Sequence, residues 1–258
     1  MSRLACVVAL ALLAACASQN EGQGPDGGPI VGEVGAARDR AKLHTELAGL
    51  YYSRGNMNVA LEELRIAVAA DSSFAQAYGL YGLVYWELKQ NVQAEQNFDR
   101  ALRLAPNDPE INHNYGWFLC NTAREKESIT YFMNAARNPL YPTPWRSYSV
   151  AGLCSLRLKN VKDAEDYFQL ALRADPDEPL SLLQLAQIRY RQGRVLEART
   201  MVERHNKLVT PSAESLWLAL RIERRGGQKV AEQSYATQLR RRYPASDEFR
   251  KLQRGEYD

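Results

Sequence analysis

The feature that most narrows what this chain can fold into is self-similarity at a spacing of about 34 residues. Three stretches show it: AYGLYGLVYWELKQNVQAEQNFDRALRLAPND from Ala77, INHNYGWFLCNTAREKESITYFMNAARNP from Ile111, and SYSVAGLCSLRLKNVKDAEDYFQLALRADPDE from Ser147. Each has a small residue early, another about twelve later, an aromatic four beyond that, an alanine three further on, and then a proline. A unit of this length cannot bury its apolar face alone, so neighbouring units must stack and the stack becomes the folding unit.

This register resembles the tetratricopeptide pattern, a helix–turn–helix of 34 residues. The resemblance implies an all-α fold, a right-handed superhelix of about six such repeats at 41–74, 75–108, 109–144, 145–178, 179–211 and 212–245, within a domain spanning 39–245. Residues 246–258 are left as a C-terminal tail. The residue types follow from the packing. Gly82, Gly116 and Gly152, with Ala94 and Ala164 opposite, let the two helices of a unit approach closely. Aromatics such as Phe98, Phe132 and Phe168 fill the wedge between units. Pro106 and Pro176 stop the second helices, because proline lacks an N–H and clashes with the preceding turn. One interval is two residues longer, through NPLYPTPWRSY at 138–148; its three prolines either alter the superhelical turn there or form an inconsequential loop.

The N-terminus carries a different signal. Arg3 precedes an apolar run from Leu4 to Ala15, too short to span a bilayer but suited to a secretory leader. Leu13-Ala14-Ala15-Cys16 resembles the lipobox of bacterial lipoproteins, so 1–15 is expected to be a lipoprotein signal peptide and Cys16 the residue that receives lipid. Ala17, where inner-membrane retention uses Asp in many Gram-negative bacteria, implies an anchor in the outer membrane facing the periplasm. Residues 16–38, rich in Gly, Asn, Gln and Pro, are expected to form a flexible tether. Cys6 leaves with the leader, so Cys120 and Cys154 remain, in a compartment where disulfides persist. They occupy positions twelve and ten of the first helices of neighbouring repeats, which pack side by side. A bridge is expected there, two buried thiols being the alternative.

Chemistry is harder to find. His44, His113 and His205 lie far apart with no metal-ligand spacing, and no P-loop, GxGxxG or GxSxG run is present. The net charge of +3 is too small for a nucleic-acid binder. The expectation is therefore a non-enzymatic, monomeric protein with no cofactor, no metal and no small-molecule substrate. The basic cluster from Arg221 to Arg242 reads as a solvated outer face, with acidic lipid or a partner as the alternative.

Function must then lie in a surface. In the tetratricopeptide family, positions two, five, nine and twelve of each first helix face the inner groove. Carried onto this chain they place Gly49, Tyr52, Gly79, Leu83, Trp86, His113 and Trp117 along one wall, an aromatic strip with room beside it at the glycines. Exposed apolar patches and tryptophans mark partner sites. No Lys/Asn set for clamping a C-terminal carboxylate stands at these positions in the first three repeats, so a segment recognised through apolar side chains is expected.

Leader, tether and repeats together resemble the type IV pilus biogenesis/stability lipoproteins, the PilW/PilF family. The most specific stretches are HNYGWFLC at 113–120, the later NPLYP, and LRRRYPASDEF near the end. The resemblance implies a pilotin, an outer-membrane lipoprotein that binds the secretin subunit and promotes its insertion and multimerisation. A scaffold for outer-membrane barrel assembly or for peptidoglycan enzymes is the alternative on the same fold.

Overall fold

The computed structural model describes residues 31–257; the leader, Cys16 and most of the tether lie outside the described residues. Thirteen helices and no strand are found among them. The first helices of the six units are α1 (Val31–Ser53), α3 (Ala75–Glu87), α5 (Pro109–Asn121), α7 (Pro144–Arg157), α9 (Pro179–Arg191) and α11 (Ala213–Arg225). Each pairs with the helix that follows it: α2 (Met57–Ala70), α4 (Asn91–Leu104), α6 (Glu125–Ala136), α8 (Val161–Ala174), α10 (Val195–Leu208) and α12 (Lys229–Arg242). A last helix, α13 (Asp247–Arg254), closes the chain. Successive first helices touch one another, α1 with α3, α3 with α5 and onward to α11, which generates the tetratricopeptide superhelix.

The second helices show why the sequence folds this way. All but α12 bury a stripe at i, i+4 and i+7: Ala60, Leu64 and Ala67 in α2, Ala94, Phe98 and Ala101 in α4, Ala164, Phe168 and Ala171 in α8. The first helices from α3 onward are buried over more of their circumference; α5 and α11 each bury eight of their thirteen residues. Their starts are set locally. The Asp108 carboxylate accepts from the Ile111 N–H with Pro109 at the first position, and Glu178 accepts from Leu180 and Ser181 ahead of α9. Ser212 and Ser215 cap α11 reciprocally.

The turn within each unit needs one residue in the left-handed region. Gly55, Lys89, Ala123, Lys159, Gly193 and Gly227 supply it, with φ between 59 and 78°. Glycine takes this conformation freely and the other three bear a modest cost, so the fold imposes the turn rather than the residue type. These six residues also correct the register. Gly227 follows Gly193, and Ala213 at the start of α11 follows Pro179, by the same interval of 34 residues. The sixth unit therefore begins one residue later than the boundary at 211/212 read from the sequence. The adjacent Leu218, Ala219 and Leu220 are all buried, so small-residue matching does not distinguish the two registers.

Two further expectations change. Residues 31–38, assigned by composition to the tether, are the first turns of α1. Extending an existing helix costs little, Ala36 and Ala37 favour it, and the Arg38 guanidinium lies 5.6 Å from the Phe74 ring centroid. The segment 246–258 is not a loose tail: Ser246 caps α13, and Phe249, Leu252 and Tyr257 pack with Leu216, Trp217 and Leu220 of α11. It covers the face of α11 that a following unit would otherwise meet. The longer interval at 138–148 is taken up by a loop whose Tyr141 is buried against His113, with ring centroids 6.5 Å apart.

Candidate functional site

The inner wall is built by positions nine and twelve of successive first helices. Tyr52 on α1, Leu83 and Trp86 on α3, and Trp117 on α5 are all half-buried and form one row. Where α3 meets α5, position twelve of one unit meets position nine of the next. Trp86 and Trp117 pack edge to face with centroids 6.5 Å apart and planes at 84°, and Trp86 also sets its edge against Phe118 at 6.1 Å. The Trp117 ring is covered from the next unit by Arg157, whose guanidinium lies 5.8 Å from the centroid and donates to the Cys120 carbonyl at 2.9 Å and to Asn121. Burial, then the carboxylate of Glu87, push the Tyr52 hydroxyl pKa up, so this phenol stays neutral and a donor. Gly49 leaves space: a Cβ there would meet nothing closer than Leu80 Cδ2 at 3.9 Å.

Position five does not belong to this wall. Gly79 is buried, and a Cβ on it would stand 3.2 Å from Ile111 Cγ1, so this glycine serves the close approach of α3 to α5. His113 is 6% exposed; its Nδ1 is 2.8 Å from the Ser147 hydroxyl and its ring packs on Phe132 and Tyr141. Both residues were expected in the groove and both lie inside the stack. Position five points at the neighbouring first helix once the units are in contact, which a single repeat read by itself does not reveal. Cys120 is likewise buried and is disulfide-bonded to Cys154, with Cα atoms 6.0 Å apart.

Two residues beside the wall, Phe74 and Arg157, were not foreseen, whereas Lys42, Thr45 and Gln76 stand at positions two and five. Between α1 and the start of α3 a recess of about 400 Å³ is lined by Arg38, Lys42, Thr45, Glu46, Phe74 and Gln76, continuing the row towards the N-terminus. Phe74 is a loop residue outside the inward positions, and Arg157 follows Trp117 by a whole unit, so no local pattern joins either to the strip. Among the described residues no group of three His, Cys, Asp or Glu side chains could hold a metal ion, and no helix is long and apolar enough to cross a membrane.

Comparison with known proteins bears on this geometry. A tetratricopeptide repeat model matches residues 45–109 and 126–179. The type IV pilus assembly protein PilF of Pseudomonas aeruginosa is 29% identical over 217 residues, which is 84% of this chain and 86% of that protein. A solved structure of Pseudomonas aeruginosa PilF superposes with a TM-score of 0.81 at 27% identity, over 86% of this chain and all of the other. The crystal structure of PilW, described as a widely conserved type IV pilus biogenesis factor, is 30% identical with a TM-score of 0.71, over 82% of this chain and 97% of the other. The chain belongs to the PilF/PilW family of tetratricopeptide type IV pilus biogenesis proteins. In this PilF/PilW-type chain the aromatic wall lies on α1, α3 and α5.

Proposed function

We propose that this protein is a pilotin: a lipoprotein held at the outer membrane through Cys16 that captures a segment of the type IV pilus secretin and promotes its insertion and multimerisation. The observation that carries the reading is the aromatic row Tyr52, Leu83, Trp86 and Trp117 in a chain similar to PilF and PilW over more than four-fifths of its length. Half-buried tryptophans on a rigid stack are preorganised anchors, and they lose little rotamer freedom when a partner covers them. Lipid would hold the protein at the membrane and the groove would hold the subunit, so that tethering raises the local subunit concentration without any catalytic step. A segment read through apolar side chains suits this half-buried aromatic row.

The test is the secretin's oligomeric state in outer membranes of wild type, a deletion strain, and Trp86→Ala/Trp117→Ala at normal protein level. Heat-resistant multimers absent from the deletion and depleted in the double variant support both the role and the wall. Multimers lost only in the deletion keep the role and place the contact elsewhere. Unchanged multimers in all three defeat the pilotin reading.

A further inference from the structure

The pairing of position twelve with position nine recurs at the far end of the groove with different chemistry. In the register set by the turns, Tyr190 is position twelve of the fifth unit and Arg221 is position nine of the sixth, the places held by Trp86 and Trp117 in the second and third. The one-residue correction places Arg221 at position nine, an inward position, and Trp217 at position five, buried beside it. The Arg221 guanidinium lies 5.0 Å from the Tyr190 ring centroid and 5.7 Å from that of Trp217. Its Nε is buried without a hydrogen-bond partner, and no carboxylate of the described residues pairs with it.

A recess of about 460 Å³ opens beside it, lined by Gln187, Tyr190, Arg191, Glu214, Trp217, Leu218, Arg221, Glu248 and Lys251. Glu214 is engaged by the Gln187 amide at 2.6 Å. Tyr257 stacks on Trp217 at 5.7 Å, fixing the indole that supports the guanidinium. A permanently charged, half-buried guanidinium with no carboxylate bonded to it has given up hydration that the aromatic faces restore only in part. Its planar fork matches a carboxylate bidentately.

We propose that this recess is a second binding site, taking an acidic side chain of a partner polypeptide: an Asp or Glu carboxylate on Arg221, with an adjacent apolar residue against Tyr190. A peptide is favoured over an anionic membrane because the recess lies on the inner face between α9 and α11. Glu214 and Glu248 on its rim would repel a planar anionic surface while a single carboxylate passes between them. The site is distinct from the aromatic wall and does not depend on the partner named for that wall.

The probe is the peptide acetyl-Phe-Asp-Phe-amide with its Asn counterpart, titrated into the full chain in detergent while the Arg221 Nε–H and Trp217 indole resonances are followed. Both resonances should move with the acidic peptide, with affinity lower by about tenfold for the Asn peptide and for Arg221→Met. Trp86→Ala should bind the acidic peptide as wild type does, which separates this site from the wall. Lys251→Glu, an exposed change on α13 that reverses the sign at the mouth, should also weaken binding and decides the matter if Arg221→Met does not fold. Equal response to the two peptides, or unchanged affinity in Arg221→Met and Lys251→Glu, overturns the proposal. So does Arg221-dependent binding to phosphatidylglycerol vesicles with no response to the acidic peptide, which would make the site one for lipid headgroups.

Discussion

Cys120 on α5 and Cys154 on α7 are joined across two successive first helices, so a covalent bond spans the junction between the third and fourth units. This is the junction whose connecting loop is two residues longer than its neighbours and carries three prolines. A repeat stack is only as cooperative as its weakest interface, and a staple at one interface resists splitting of the stack there. Reduction, or Cys120→Ala/Cys154→Ala, is expected to lower stability by roughly 3–4 kcal/mol in the chain-entropy model for a loop of this length. Urea unfolding in the presence and absence of reductant measures it. Coincident curves would show that the bridge does not stabilise the junction.

His113 gives the same region a pH dependence. Burial, and secondarily the positive charge of Arg146, hold its pKa at about 4, against 6.5 for an exposed imidazole. A depressed folded-state pKa means that the unfolded chain takes up the proton first. The stabilisation is therefore complete above pH 6.5 and is lost as pH falls from 6.5 towards 4, by about 3 kcal/mol in all. Thermal melts between pH 7 and 4 should show this fall in wild type and a shallower one in His113→Gln. Parallel profiles would mean that other groups govern the acid response.

Gly152 stands where no side chain fits, since a Cβ on it would lie 2.5 Å from the Phe168 ring. Gly152→Ala is expected to cost about 1–3 kcal/mol through overpacking. Gly49→Ala provides the contrast: its Cβ would enter open space on a helix, so a gain of about 0.5–1 kcal/mol is expected. Paired denaturation curves test the sign of each, and destabilisation of both would contradict the difference in space drawn here.

Arg189 on α9 has only 6% of its side chain exposed and pairs with Glu165 on α8, with Glu197 further off at 3.4 Å. Glu165→Ala strands most of a buried positive charge, at an expected cost of about 3 kcal/mol. Adding Arg189→Met removes that charge as well, so the double variant should lose less than the sum of the two single changes. A double-mutant cycle by urea unfolding reads the coupling, and simple additivity would show that the pair does not act as a unit.

Much of the architecture was legible in the sequence because it is repetitive. A stack in which every unit meets the same neighbours imposes the same small residue, aromatic and proline at the same places, and Gly82, Gly116 and Gly152 each face Phe98, Phe132 and Phe168 as their spacing implies. Tyr52, Leu83, Trp86 and Trp117 were also accessible to this reasoning, because inward positions follow from helix periodicity once the register is known. The misreadings share a cause. Gly79 and His113 occupy positions whose surroundings belong to the next unit, and Arg221 reads as part of a basic, solvated face because Tyr190, its neighbour, comes from the preceding unit; the register of the last repeat is also one residue later than the sequence suggests. The left-handed turns locate that register through backbone geometry, while Lys, Ala and Gly all occupy them.

By itself, then, the sequence determined the repeat, its helix–turn–helix unit, the pairing of small residue with aromatic, and the neighbourhood of the two cysteines, since all of these rest on contacts within a unit or between identical positions of adjacent units. Only the tertiary structure decided which inward positions remain open, that residues 246–257 fold back as a cap on α11, and that Arg221 lies between Tyr190 and Trp217. Those outcomes depend on where one helix lies against another to within a few ångströms, and a one-dimensional periodicity specifies which side of a helix faces inward without specifying what stands opposite it.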